Sequence, residues 1–185
     1  NGCGMNADDA LLCLERHATS KIQEVEDILH IATMGFRGEA VPSIAAVSKL
    51  SIRTSTKDST LGTLVQVEGG KIVKVAEVAT NPGTIMEVNQ LFFNVPVRRK
   101  FQKSPNYDAN EFEKTLKLLA LAHPEITFQF ISNEKTIFST CGMNCSSWPK
   151  SHQKRVEDIL GADFKNYTPI FLEKENCSIQ GYIGF

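Results

Sequence analysis

No stretch of this chain approaches the roughly 20 consecutive apolar residues that a bilayer-spanning helix needs, so a membrane helix is not expected. Nor does the chain open on the basic and then apolar segment of a secretory signal. A surplus of one charge is missing too: 20 Lys and Arg stand against 21 Asp and Glu, a formal net charge of −1. That rules out a cationic coat for nucleic acid and leaves only local basic clusters. Cys3, Cys13, Cys141, Cys145 and Cys177 are odd in number and irregular in spacing. Cys141 and Cys145 lack the second pair or nearby histidine that completes a zinc set, so reduced thiols are expected. The chain has no Gly-Lys-Ser/Thr of the P-loop kind and no Gly-x-Gly-x-x-Gly after a strand, which removes two common phosphate fingerprints. It also lacks an initiator Met, and reads as a piece of a longer protein with parts expected beyond both ends.

What is there suits a globular protein. The 185 residues suffice for one domain with a full core, or one domain plus part of a second. Asn6 reads as a helix cap with Asp8 and Asp9 in the first turn, and Leu11, Leu14 and Ala18 follow at helical spacing. A second short helix is expected over 24–30. A third is expected over 39–49, with Pro42 in its first turn, where a missing N–H costs little. Short β-branched runs at 50–54, 63–68, 71–78 and 84–88 predict strands, two of them joined by the hairpin turn Gly69-Gly70. A long helix is expected over 108–122 with Phe112, Leu116, Leu119 and Ala120 on one face, then a hairpin about Asn133-Glu134. The polar stretch 141–151 makes the best domain boundary. A helix over 153–160 with Gly161 as C-cap and two strand-like segments follow.

Three glycine-bearing segments carry the chemistry: Asn1-Gly2-Cys3-Gly4-Met5, Gly35-Phe36-Arg37-Gly38-Glu39 and Gly83-Thr84. Glycine lets a backbone approach a ligand closely and take φ > 0. Where such a loop feeds a helix, its unpaired N–H groups favour an anion, and the second segment opens directly onto the helix holding Pro42. By spacing alone, that segment is a possible phosphate site or a plain turn.

Asn1-Gly2-Cys3-Gly4-Met5 resembles the end of the Asp-Asn-Gly-x-Gly motif of the GHKL ATPases, the group of gyrase, heat-shock chaperones, histidine kinases and MutL. Arg16-His17-Ala18-Thr19-Ser20-Lys21-Ile22 and Gly35-Phe36-Arg37-Gly38-Glu39-Ala40 resemble the hallmarks of MutL. So does Gly83-Thr84 followed by Leu91-Phe92-Phe93-Asn94-Val95-Pro96-Val97-Arg98-Arg99-Lys100-Phe101. All stand in the family's order over most of the chain. The chain thus resembles the N-terminal ATPase domain of a MutL-type DNA mismatch-repair protein.

The resemblance implies an α+β fold, the Bergerat-type α/β sandwich of the GHKL group, with a mixed, mostly antiparallel sheet and helices on one face. It would comprise an ATP-binding domain over 1–145, lacking its N-terminal part, and the start of a transducer-like second domain over 146–185. ATP and Mg²⁺ are the implied cofactors. Asn1, Gly2, Gly4 and Met5 would pass by adenine and ribose, with an adenine-reading aspartate expected just before Asn1. Thr19 and Gly35, Phe36, Arg37 and Gly38 would belong to the lid and phosphate cradle, Arg37 steadying the lid or a dimer contact. Thr84 would offer its hydroxyl to the base or to a bridging water. The family's general-base glutamate and Mg²⁺-binding asparagine lie on an earlier helix, and a γ-phosphate lysine after Phe185. No residue of this chain is therefore assigned as catalytic, and Glu39 reads as a partner of the helix dipole.

The implied function is an ATP-driven switch of mismatch repair. Its N-terminal domains would dimerise on ATP, with DNA, a mismatch-recognition protein and downstream repair factors as partners, no membrane, and a bacterial cytoplasmic setting (nuclear in a eukaryote). The alternatives are a non-catalytic nucleotide- or protein-binding module, or another GHKL ATPase; a histidine kinase fits less well, because its Gly-x-Gly-Leu-Gly-Leu lid is missing. Arg98, Arg99 and Lys100, with Lys103, form the densest basic run, read either as a solvated face or as DNA phosphate contacts. Lys150, His152, Lys154 and Arg155 are a second candidate of that kind. His17 is expected to make a structural hydrogen bond. Phe92, Phe93 and Phe101 are expected in the core.

Overall fold

The computed structural model describes residues 2–22, 24–31, 33–143, 150–161, 166–175 and 177–184. The chain divides into two compact units, Asn1–Gln102 and Lys103–Phe185. The boundary expected after residue 145 falls on residues 144–149, outside the described ones.

The first unit is built on a four-stranded sheet in the order β3-β2-β1-β4, from β1 (Lys49–Ser55), β2 (Gly62–Glu68), β3 (Lys71–Val78) and β4 (Gly83–Asn89). Every pairing is antiparallel. Alternation along β1 sends Leu50, Ile52 and Thr54 to the buried face and leaves Lys49, Ser51 and Arg53 on the other, the period-2 pattern of a half-covered sheet. Ile52 stands opposite Val65, and Leu50 opposite Val67. Helices α1 (Ala7–Leu12) and α2 (Ala40–Ala46) cover that face: Ala10 and Ala45 close the core with these four residues. The β2–β3 turn uses Gly69 (φ 56°) and Gly70 (φ 84°), the two positive φ values of a primed turn that suits strand twist. Their N–H groups donate to Ser48 and Ala45 carbonyls, fixing the hairpin to the end of α2.

Both helices are shorter than their apolar spacing suggests. Asn6 caps α1 as expected, its Oδ1 accepting from Asp9 N–H at 2.8 Å. The helix stops at Leu12, short of Leu14 and Ala18, and the chain then turns to His17, whose φ of 66° no α-helix accommodates. In α2, Ser48 Oγ donates to the Ile44 carbonyl at 2.7 Å, a side-chain bond that competes with helix continuation. The stretch expected as a second helix is a 3₁₀ turn, Val25–His30. After β4 comes α3 (Pro96–Lys100).

In the second unit, α4 (Pro105–Ala122) starts at Ser104, whose Oγ accepts from Tyr107 N–H at 3.3 Å. Its buried residue is Ala120. Phe112, expected on the core side, is 63% exposed. The hairpin of β5 (Phe128–Ser132) and β6 (Lys135–Thr140) turns on Asn133 and Glu134, both at positive φ. Helix α5 (Lys150–Leu160) buries Val156 and Ile159, and also Arg155. The last hairpin is β7 (Tyr167–Lys174) with β8 (Cys177–Gly184).

Arg155 overturns a sequence expectation. Offered as a surface phosphate contact, it is fully buried and donates to the carbonyls of Ala120, Pro124, Ile126 and Cys141 at 2.8–2.9 Å, and to His123 at 3.4 Å. Three of these carbonyls lie at or just past the end of α4, where a helix leaves acceptors unpaired and favours a cation.

Candidate functional site

The three glycine segments fall into two clusters within the first unit. The first joins the loop before α1 to the β1–β4 edge. Gly4 has φ 75°, and a Cβ on it would stand 1.8 Å from the Ser55 carbonyl oxygen, so only glycine fits this approach. Met5 N–H donates to Thr54 Oγ1 at 2.8 Å. Thr54 Oγ1 donates to the Gly83 carbonyl at 3.0 Å and lies 2.9 Å from Thr84 Oγ1. Thr54 and Thr84 are directly paired across the antiparallel ladder, which puts both hydroxyls on the face that carries the core. Thr54 is wholly buried, whereas Thr84 is exposed. Asn1, expected beside Gly2, lies outside the described residues.

The second cluster joins the 17–21 segment to the turn before α2. Gly38 has φ 62°, and a Cβ there would meet the Ala18 carbonyl oxygen at 2.2 Å. His17 N–H donates to the Gly38 carbonyl at 3.1 Å, and His17 Nδ1 lies 3.4 Å from Glu39 Oε1. The two segments therefore interlock through backbone, with left-handed residues on both sides. His17 makes the structural contacts expected of it, and Glu39 faces it. Glu39 stands at the cap of α2 without a side-chain capping bond. Thr19 Oγ1 accepts from Lys21 N–H at 3.2 Å, and Thr33 Oγ1 donates to the Gly35 carbonyl at 3.1 Å. The Arg37 guanidinium lies 5.9 Å over the Phe36 ring.

Gly2 and Gly35 differ from Gly4 and Gly38. A Cβ on either meets nothing within 4 Å, so the backbone there faces open space. Each cluster thus pairs one glycine packed against its own chain with one facing outward, the arrangement a close-approaching ligand needs. Met5 of the first cluster and Val41 of α2, the helix that the second cluster leads into, pack on the same core. Among the described residues no group of three or more His, Cys, Asp or Glu converges to hold a metal ion.

The basic run lies on α3. Arg98, Arg99 and Lys100 occupy its last turn, all exposed, where cations also suit the helix dipole. Arg98 lies 5.9 Å over the Phe92 ring. Arg99 lines an open cleft with Gln90, Leu91, Phe93 and Gln102. Phe92 and Phe93 are half-buried, but Phe101, expected in the core, is 82% exposed. Thr54 is the residue the sequence did not single out: its partners are 49, 29 and 30 positions away, beyond any local pattern.

No family model matches the chain. Among curated proteins, the DNA mismatch repair protein MutL of Syntrophobacter fumaroxidans is 41% identical over 185 residues, all of this chain and 27% of that protein. The MutL of Desulforamulus reducens is 47% identical over 142 residues, 77% of this chain and 22% of that protein. Among solved structures, the Aquifex aeolicus MutL ATPase domain complexed with ADP superposes with a TM-score of 0.67 at 26% identity, covering 93% of this chain and 57% of that one. The chain belongs to the MutL family. It spans about a quarter of the length of the curated MutL proteins it matches (27% and 22% of the two named). Its antiparallel sheet with helices on one face is the fold of the MutL ATPase domains. No described helix is long and apolar enough to cross a membrane.

Proposed function

We propose that the chain forms one wall of the ATP site of a mismatch-repair switch. The observation carrying this reading is the second cluster: Gly38 backed onto Ala18, Gly35 open, and the 17–21 segment tied to Gly38 through the His17 N–H. In this reading Gly2, Gly4, Met5 and Thr84 flank adenine and ribose, while Thr19 and Gly35 to Gly38 cradle phosphates. ATP binding orders the lid, closes two N-terminal domains into a dimer, and so changes contacts with DNA, a mismatch-recognition protein and downstream repair factors; hydrolysis resets the switch. Magnesium would neutralise phosphate charge, held by a residue outside this chain. The ATP-binding domain extends over 1–145 and a transducer-like domain begins at 146, in a cytoplasmic or nuclear compartment.

The test is binding of a non-hydrolysable ATP analogue to the full-length protein and its Gly38→Ala variant. A Cβ at φ 62°, driven against the Ala18 carbonyl, must displace one of the interlocked segments. The expected loss is about tenfold or more in affinity, roughly 1.4 kcal/mol. Unchanged binding would sink the cradle. A separate assay with hydrolysable ATP and Mg²⁺ is expected to give the 1–185 chain alone no turnover, because proton abstraction from water needs a base and none is assigned among its described residues; turnover would place that base within this sequence.

A further inference from the structure

The three contacts of the Thr54 hydroxyl allow one assignment of protons. Met5 N–H can only donate and the Gly83 carbonyl can only accept. Thr54 therefore accepts at 2.8 Å from the first and donates at 3.0 Å to the second. A hydroxyl has a single proton, so the 2.9 Å contact with Thr84 is a hydrogen bond only if Thr84 donates. Thr54 then uses its proton and both lone pairs, as a wholly buried hydroxyl should. Exposed Thr84, its proton turned inward, offers only lone pairs to whatever lies on its open side.

We propose that Thr54 is a positioning residue of the nucleotide site: it holds Thr84 as a pure acceptor, and so favours a base with an exocyclic amino group over one with a carbonyl there. The proposal rests on the ATP-site reading above. An adenine amino group carries two N–H donors. Thr84 takes one of them. A 6-oxo purine presents a lone pair to Thr84 instead, and two acceptors then face each other without a proton between them. Thr54 also holds the Gly2–Met5 loop through Met5 and the start of β4 through Gly83, so one hydroxyl registers that loop against that strand.

The experiment uses the full-length protein, its Thr54→Val variant, which keeps the shape and loses the hydroxyl, and its Thr54→Ser variant, which keeps the hydroxyl. Affinities are measured for non-hydrolysable analogues of ATP and of inosine triphosphate. The expected result is that Thr54→Val weakens the ATP analogue about tenfold and narrows its preference over the inosine analogue several-fold, while Thr54→Ser stays within about threefold of wild type for both. The preference is a ratio measured on the same sample, so a partly unfolded variant lowers both affinities without moving it. A Thr54→Val protein that keeps the wild-type preference overturns the proposal and leaves the ATP site standing. A wild-type protein that binds neither analogue overturns the ATP-site reading and the proposal with it.

Discussion

Cys3 and Cys13 lie ten positions apart on either side of α1's first turns and differ in chemistry. Cys3 is exposed in the glycine loop, whereas Cys13 packs on the core and its Sγ lies 3.2 Å from the Ala10 carbonyl. Burial, and then the Asp9 carboxylate, push the Cys13 thiol above its ordinary range. The thiolate is the reactive form, so at a given pH Cys13 carries less of it. Iodoacetamide at pH 8 is therefore expected to label Cys3 several-fold faster than Cys13, read by peptide mass spectrometry; equal rates would contradict it. Legibility at this scale divides by range. Gly38 announces itself because a glycine before a helix has few reasons to be there. Thr54 does not, because a threonine in a β-branched run looks like strand filler until the fold brings Met5, Gly83 and Thr84 to it. Arg155 misleads for the opposite reason: with Lys154 and His152 beside it the local pattern is basic surface, and only the carbonyls gathered from the last turn of α4, the loop after it and Cys141 just past β6 show where the guanidinium goes.

Among the elements, strands declared themselves best. Alternation and the Gly69-Gly70 turn placed all four strands of the first sheet to within a residue or two at each end, since turn chemistry and pleat are both local. Helix lengths were less legible. Apolar spacing continues past Leu12, but the interlock of His17 with Gly38 is a tertiary demand that ends the helix early. In the second unit, Arg155 is the element-scale fastening of α5 to α4 and to the β5–β6 hairpin. Lysine cannot replace it, since an ammonium on a flexible stem lacks the planar fork that reaches carbonyls on several segments. Arg155→Lys is expected to destabilise the second unit by about 3 kcal/mol, as buried carbonyls lose their donors. Urea unfolding with hydrogen exchange along α4 and β5 measures this; a loss under about 1 kcal/mol would show that the fastening lies elsewhere.

For the molecule as a whole, near-neutral charge throws any interaction with DNA onto clusters, and α3 carries the densest one. Among the described residues none of Arg98, Arg99 and Lys100 is in an ion pair, so each remains available to a phosphate. If α3 supplies the DNA contacts that the proposed function calls for, replacing all three by alanine in the full-length protein weakens DNA binding uniformly across sequences. It should also flatten the dependence of log K on log salt by about 3, near 0.9 for each phosphate no longer neutralised. An unchanged slope would assign the cations to the carbonyl end of α3 instead. The family was legible at this scale because its motifs are short and lie where close packing constrains the backbone, as at Gly4 and Gly38. The extent of the compact units was not, since their division at residues 102 and 103 follows packing that no composition shift marks.

Arg155 also sets an order of events during synthesis. The carbonyls it satisfies belong to residues 120–141, all made before it, and its guanidinium arrives with α5. Until residue 155 has left the ribosome, α4 and the β5–β6 hairpin can be held together only with water on those oxygens, and the second unit cannot commit to its native packing.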